Sequence, residues 1–172
     1  FLAREHVLLN SLTEIIKGAR TEELPERISD LLVKIKDIEK ELAGVRSAQA
    51  MSQIGTLADT AVVLNGTTTV TAVLPDGITG DDLRKIAIDL KARAPQSAIA
   101  LISANEGKPV LVVAVSDAAK EAGLKAGALV KIGSTILGGG GGGKDDFAQG
   151  GGTDASKSQA ALAAIADSIS GK

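Results

Sequence analysis

The chain has no cysteine, no tryptophan and no tyrosine, and among its 172 residues only one histidine, one methionine and two phenylalanines. Without cysteine there are no disulfides and no thiolate metal sites, which suits a reducing compartment and a cytoplasmic location. The single imidazole, His6, leaves no histidine cluster for zinc or iron and no base for Ser116, Ser134 or Thr135, so it reads as a helix-surface residue. With aromatics at 1% and hydrophobic residues at 44%, the core has to be built from Val, Ile, Leu and Ala. No apolar run reaches the roughly 18 residues of a membrane span, and the first residues lack the basic and apolar segments of a signal peptide. The chain also lacks an initiating Met, and Phe1-Leu2-Ala3-Arg4-Glu5 reads as the middle of a helix, as in a fragment of something longer.

No excess of one charge marks the sequence either. The formal net charge is −2, with 8 basic and 11 acidic groups in residues 1–78 and 11 basic and 10 acidic in residues 79–172. A polyanion would therefore have to be held by a local patch and not by a bulk field.

Glycine is what the chain has in excess. Nine of its 20 glycines fall in residues 138–152, Gly-Gly-Gly-Gly-Gly-Gly-Lys-Asp-Asp-Phe-Ala-Gln-Gly-Gly-Gly. Glycine loses more conformational entropy on ordering than any other residue, so regular helix or strand is not expected there. Such a run is either a slack linker or a place where bare backbone approaches a partner closely. The interrupting Lys144, Asp145, Asp146, Phe147 and Gln149, with apolar helical sequence on both sides, favour a structured loop inside a domain.

Around this loop the sequence divides into an arm, residues 1–58, and a globular part, residues 59–172. In the arm, Leu2, Leu9, Leu12 and Ile16 recur at helical spacing, Gly18 ends that segment, and Pro25 sits near the start of a second helix. Ile28, Leu31, Ile35, Ile38, Leu42 and Val45 then alternate in steps of three and four, an a/d seam of under three heptads. That suits a helical hairpin packed on itself or, alternatively, a short coiled-coil dimer contact. In the globular part, Asn65-Gly66 between apolar runs predicts a tight hairpin of 61–64 with 67–74. Thr79 and Asp82 resemble a capping box opening a helix over 81–93, with Leu83, Ile86, Ala87 and Leu90 as its core stripe. Residues 97–103 and 110–115 read as central strands. A helical stretch with breaks at Gly123 and Gly127 covers 117–137, and a last helix over 155–170 is capped by Thr153 or Asp154. The expected fold is α+β: a sheet of about four strands covered by helices, behind the helical arm.

The glycine loop opens onto a capped helix, the general arrangement for holding an anion. Neither nucleotide motif fits, because a Walker loop needs Ser or Thr after its lysine and Asp145 follows Lys144, and a Rossmann loop follows the first strand. Asp145 and Asp146 are adjacent carboxylates whose side chains diverge, so solvated turn residues describe them better than metal ligands. Lys125, Lys131 and Lys144 could form a basic patch beside the loop, extended by Arg84, Lys85 and Lys91, or could be scattered solubilising charges. With Phe147 the one aromatic near the loop, RNA recognition would proceed through shape and backbone.

The run at 138–152 closely resembles the glycine motif in the C-terminal domain of the bacterial alanyl-tRNA synthetase family. Asp82-Leu83-Arg84, Val112-Val113-Ala114-Val115-Ser116, Ala126-Gly127-Ala128-Leu129-Val130-Lys131 and Glu22-Glu23-Leu24-Pro25-Glu26-Arg27-Ile28 match that pattern in order. The resemblance covers essentially the whole chain. It implies the C-terminal portion of an ATP-dependent alanine–tRNA ligase, one that also hydrolyses seryl- and glycyl-tRNA. This portion would hold the tRNA elbow, couple aminoacylation to editing and contribute to a homodimer, alongside the other domains of the synthetase. It implies no catalytic site and no cofactor in this segment, with ATP, Mg and Zn belonging to the parent, and no membrane partner. Lys144, Gly140, Gly141, Gly142, Gly143, Lys125, Lys131, Arg84 and Lys91 are the expected tRNA-binding residues. The same glycine-rich domain ends the DHH phosphoesterases, where a motif histidine contacts substrate. Here Lys144-Asp145-Asp146 stands instead, which argues against that use. A phosphoesterase substrate domain and a purely structural dimer module remain the alternatives.

Overall fold

The computed structural model describes residues 2–16, 20–52 and 54–171. The chain forms two compact units, Phe1–Leu42 and Ala43–Lys172. The first holds α1 (Leu2–Ile15) and most of α2 (Leu24–Ser52), with Pro25 in the first turn of α2, where its missing N–H breaks no hydrogen bond. The a/d seam is helical as expected, and its side chains from Ile28 to Val45 are 39% to 63% exposed. The side chain of His6 and the turn residues 17–19 lie outside the described residues.

The second unit is built on one six-stranded sheet. Its strands are β1 (Val62–Leu64), β2 (Thr67–Val73), β3 (Ser97–Asn105), β4 (Lys108–Val115), β5 (Gly141–Gly143) and β6 (Phe147–Gly151), in the order β1-β2-β3-β4-β6-β5. All neighbours are antiparallel except β2 and β3, which the helix α4 (Gly80–Ala92) joins as a parallel crossover. Asn65 and Gly66 take φ of 47° and 78°, the left-handed pair that a two-residue hairpin needs. The α4 cap forms as its sequence predicts. Thr79 Oγ1 accepts from the Asp82 N–H at 3.2 Å and donates to Asp82 Oδ2 at 2.9 Å.

The sheet is covered on both faces. On one, α4 lays Leu83, Ile86, Ala87 and Leu90 over Val70, Ile99, Leu101, Val112 and Ala114, joined by Ile54 of α3 (Ile54–Asp59). On the other, α6 (Ala126–Ile136) and α7 (Ser158–Ser170) pack on Ala100, Ile102, Leu111, Val113 and Val115. Each fully buried Ile, Leu or Val side chain contributes about 1.5–3 kcal/mol, and β3 is buried from Ser97 through Ala104. Within α2, Arg46 lies against Gly77, and Met51 reaches the core on the α4 face. Residues 43–58, assigned to the arm by sequence, thus pack with the globular unit.

Four strands are expected from the sequence, and the described residues form six. The additional pair, β5 and β6, is the glycine run itself, which therefore is not a loop between helices. Two further expectations change in detail. The alternation of Thr with Val70 and Ala72 fits a half-buried strand, but Thr67 and Thr69 are 2% and 3% exposed, so β2 has two covered faces instead of one. Gly123, at φ 97°, does break the helical stretch and separates α5 (Asp117–Glu121) from α6, but Gly127 lies inside α6. The final helix begins with a 3-10 turn, Ala155–Lys157, capped by Asp154, whose Oδ1 accepts from the Ser156 N–H at 3.1 Å.

Candidate nucleic-acid interface

A strand of glycines has little intrinsic stability, so its neighbours must hold it. β6 pairs with β4 from Ala114↔Phe147 to Val110↔Gly151, and β5 pairs with β6 from Gly143↔Ala148 to Gly141↔Gly150. The turn between them, Asp145-Asp146, is fastened through its carbonyls. Asp145 O accepts from the Ala126 N–H at the start of α6 (3.0 Å), and Asp146 O accepts from the Val115 N–H at the end of β4 (2.8 Å).

The two faces of this hairpin differ. On the α6 side there is no room for side chains: a Cβ on Gly141 would lie 2.6 Å from Val130 Cγ1 and 2.5 Å from Gly150 Cα. A Cβ on Gly143 would lie 2.5 Å from Ala148 Cα, and one on Gly150 would collide with Ser134 Oγ and come within 2.8 Å of Val130 Cγ1. Gly151, on the Phe147 and Gln149 face, is closed off by Pro109 O of β4, and on the α6 side Gly139 and Gly152 are closed off by backbone. The glycines on the α6 side let the hairpin lie flat on α6. Around Gly140 and Gly142, whose absent side chains would project from the α4 side, there is open space. Neither has a positive φ, so nothing in the fold itself requires glycine at these two positions.

On that open side the structure gathers some of the expected residues. Lys144 pairs with Phe147 across the turn, its N–H donating to Phe147 O at 2.9 Å. The Arg84 guanidinium sits 4.5 Å from the centroid of the Phe147 ring, a cation–π contact. Among the described residues Arg84 has no carboxylate partner. Gln149, two residues along β6 from Phe147, shares its face and lies over Gly80, where a Cβ would come 2.7 Å from the amide nitrogen. Arg84, Lys144, Gly140 and Gly142 thus meet on one surface with Phe147 and Gln149.

The other expected residues are placed elsewhere. Gly141 and Gly143 face α6. Lys125, just before α6, lies 3.9 Å from Asp145 in an exposed ion pair. Lys131 is exposed on α6, the helix covering the opposite face of the sheet. Lys91 lies two turns beyond Arg84 on α4, near Asp117. Asp117 is bridged to Lys120 at 2.7 Å, and this hydrogen bond and charge hold its carboxyl below the ordinary value while raising that of the Lys120 ammonium. No motif or charge pattern in the sequence singles out Gln149. Its signal was the alternation Phe147, Gln149, which becomes legible only once 147–151 is known to be a strand.

Such a surface offers guanidinium, ammonium and amide donors beside an aromatic ring and bare backbone. Those groups suit a phosphate-bearing ligand, and they supply no nucleophile–base pair for covalent chemistry. Among the described residues no three His, Cys, Asp or Glu side chains are grouped to hold a metal ion.

Comparison with known proteins shows the family of the chain and the likeness of its fold. The family model described as "DHHA1 domain" matches residues 65–171. The chain is 44% identical over 168 residues to an alanine–tRNA ligase of Streptomyces avermitilis, covering 96% of this chain and 19% of that protein. It is 48% identical over 170 residues to an alanine–tRNA ligase of Kocuria rhizophila, covering 95% of this chain and 18% of that one. The chain therefore spans less than a fifth of the length of either relative. Among solved structures, the C-Ala domain of alanyl-tRNA synthetase from Aquifex aeolicus is similar, with a TM-score of 0.60 and 25% identity over 64% of this chain and 97% of that one.

Proposed function

This chain belongs to the DHHA1 domain family, and from that premise we propose that it is the C-terminal, tRNA-contacting module of an alanine–tRNA ligase. The parent would join alanine to its tRNA at the expense of ATP and hydrolyse seryl- and glycyl-tRNA. This module would contribute grip on the tRNA and no chemistry of its own. The reading is carried by the identity of 44% to 48% to alanine–tRNA ligases across at least 95% of the chain. The surface around Arg84, Phe147 and Lys144 supports it by presenting cations that have no carboxylate partner among the described residues. The partners are alanine-specific tRNA, held at its elbow, the other domains of the synthetase, and a second copy met through the exposed seam of α2.

The test is direct binding of an alanine-tRNA transcript to the 172-residue chain across a salt series. The expected result is saturable binding that weakens steeply as salt rises, because each phosphate neutralised releases a counterion. Lys144→Glu is expected to weaken it further, and a transcript unable to form its D-loop/T-loop contacts should bind less well. Absence of saturable binding to either transcript at low salt would remove tRNA from the proposal and leave a structural module.

A further inference from the structure

Arg84 is held by a ring instead of a carboxylate. Most of its neighbours on α4 are ion-paired: Asp82 with Lys85 at 3.3 Å and Asp89 with Arg93 at 3.0 Å. The cation–π contact orients the guanidinium over Phe147 without neutralising it, and its N–H donors stay available to an anion. Ile88, one turn along on the same flank, is an aliphatic side chain 44% exposed.

Opposite this flank lies the open side of the β5–β6 hairpin. Phe147 and Gln149 project on the α4 side from β6, while Gly142, the cross-strand neighbour of Gln149, and the next residue on that face, Gly140, project nothing. The result is a shelf one strand wide, about 4.8 Å, beside a wall formed by Arg84 and Ile88. The charges at its two ends differ. Toward Lys91 the charges are paired: Asp117 with Lys120 at 2.7 Å and Asp145 with Lys125 at 3.9 Å. Toward Gly80 the side chain is the uncharged Gln149 amide.

We propose that this shelf takes the sugar–phosphate edge of one RNA strand, with Arg84 donating to a phosphate and Gln149 to a ribose or base edge. Phe147 acts as the positioning residue for Arg84. The strand lies along Gly142 and Gly140, with Lys144 and Arg84 at its edge. This rests on the tRNA-binding reading above and narrows it to one face of the fold. It separates the expected residues into a binding set (Arg84, Lys144, Gly140, Gly142) and residues outside the contact (Lys91, Lys131).

The experiment measures tRNA binding by the 172-residue chain and its variants over a salt series, with a melting curve for each variant. Arg84→Gln is expected to weaken binding several-fold and to lower the slope of log K against log salt by about one, the signature of one lost phosphate contact. Phe147→Leu should weaken binding in the same direction, and its effect should largely vanish in an Arg84→Gln background, since the ring acts through the guanidinium. Gly142→Val should reduce binding with an unchanged melting temperature, and Gln149→Ala should reduce it with an unchanged salt slope. Lys157→Gln, on the far side of the sheet beside α7, serves as the control. If the parent chain binds tRNA while Arg84→Gln and Gly142→Val bind equally well, the shelf is overturned and the tRNA reading stands. If the chain binds no tRNA at any salt, both fall. Equal competition by polyglutamate and by tRNA overturns RNA as the occupant in favour of an acidic protein.

Discussion

Gly141 and Val130 lie so close that a Cβ on the glycine would come 2.6 Å from Val130 Cγ1. The next glycine along, Gly142, has nothing within 4 Å of the same position. Adjacent residues of one strand thus differ completely in what they tolerate, because alternate positions face α6 and open space. Gly141→Ala is expected to destabilise the fold by about 1–3 kcal/mol, the usual cost of overpacking. Gly142→Ala should be neutral or stabilising by up to about 1 kcal/mol, since alanine has less unfolded-state freedom to lose. Urea unfolding of the two variants checks this, and equal destabilisation would falsify the two-faced hairpin.

Ser134 is fully buried on α6, and its hydroxyl has no hydrogen-bond partner among the described residues. It faces Gly150, whose missing side chain makes room for the oxygen. Burying an unpaired hydroxyl costs about 1–3 kcal/mol by mutational measures. Ser134→Ala is therefore expected to raise the unfolding free energy by about 1 kcal/mol. A clear loss of stability instead would mean that the hydroxyl has a partner.

Asp82 combines a helix cap with a pH-dependent charge. Burial pushes its carboxyl up, but hydrogen bonds from Thr79, Ser47 and Lys85 and the Lys85 charge together hold it below the ordinary value. Its folded pKa is thus lower than its unfolded one, so its stabilisation is complete above the ordinary aspartate value of about 3.9 and is lost as pH falls through the folded value. Asp154, lowered chiefly by the Ser156 hydroxyl, follows the same sign. Wild type should lose stability below about pH 4, and Asp82→Asn should lose less over that interval. Thr79→Ala should cost about 1 kcal/mol at neutral pH. Melting curves between neutral and acid pH test all three, and a flat profile in wild type would contradict the assignment.

The apolar seam of α2, from Ile28 to Val45, is exposed along its length. If it meets a second copy, sedimentation should show mass rising with concentration, and Ile35→Lys or Ile38→Lys should abolish the larger species. The melting of the globular unit should be unaffected, because neither residue lies in it. A single species at monomer mass over the whole concentration range would remove the seam as a dimer contact.

Much of the fold was legible because local chemistry and tertiary packing agree. Asn65-Gly66 turned the chain as its dipeptide predicts, Thr79 and Asp82 capped α4, and the core stripe of α4 was read residue by residue. The site was legible only in part. Arg84 and Lys144 could be named as cations near the loop, but their meeting at Phe147 depends on a strand pairing between residues distant in sequence.

By itself the sequence determined the class of the fold, the aliphatic core, the exclusion of thiolate and histidine chemistry, and the family resemblance carried by residues 138–152. What only the tertiary structure decided was the state of that glycine run. Composition argues against a strand of glycines because its ordering is costly and it has no side chains to pack. The sheet overrules this by pairing the run with β4 and pressing it against α6, where any Cβ would collide with Val130 or with neighbouring backbone. The same absence of side chains, on the other face, leaves the surface beside Arg84 open.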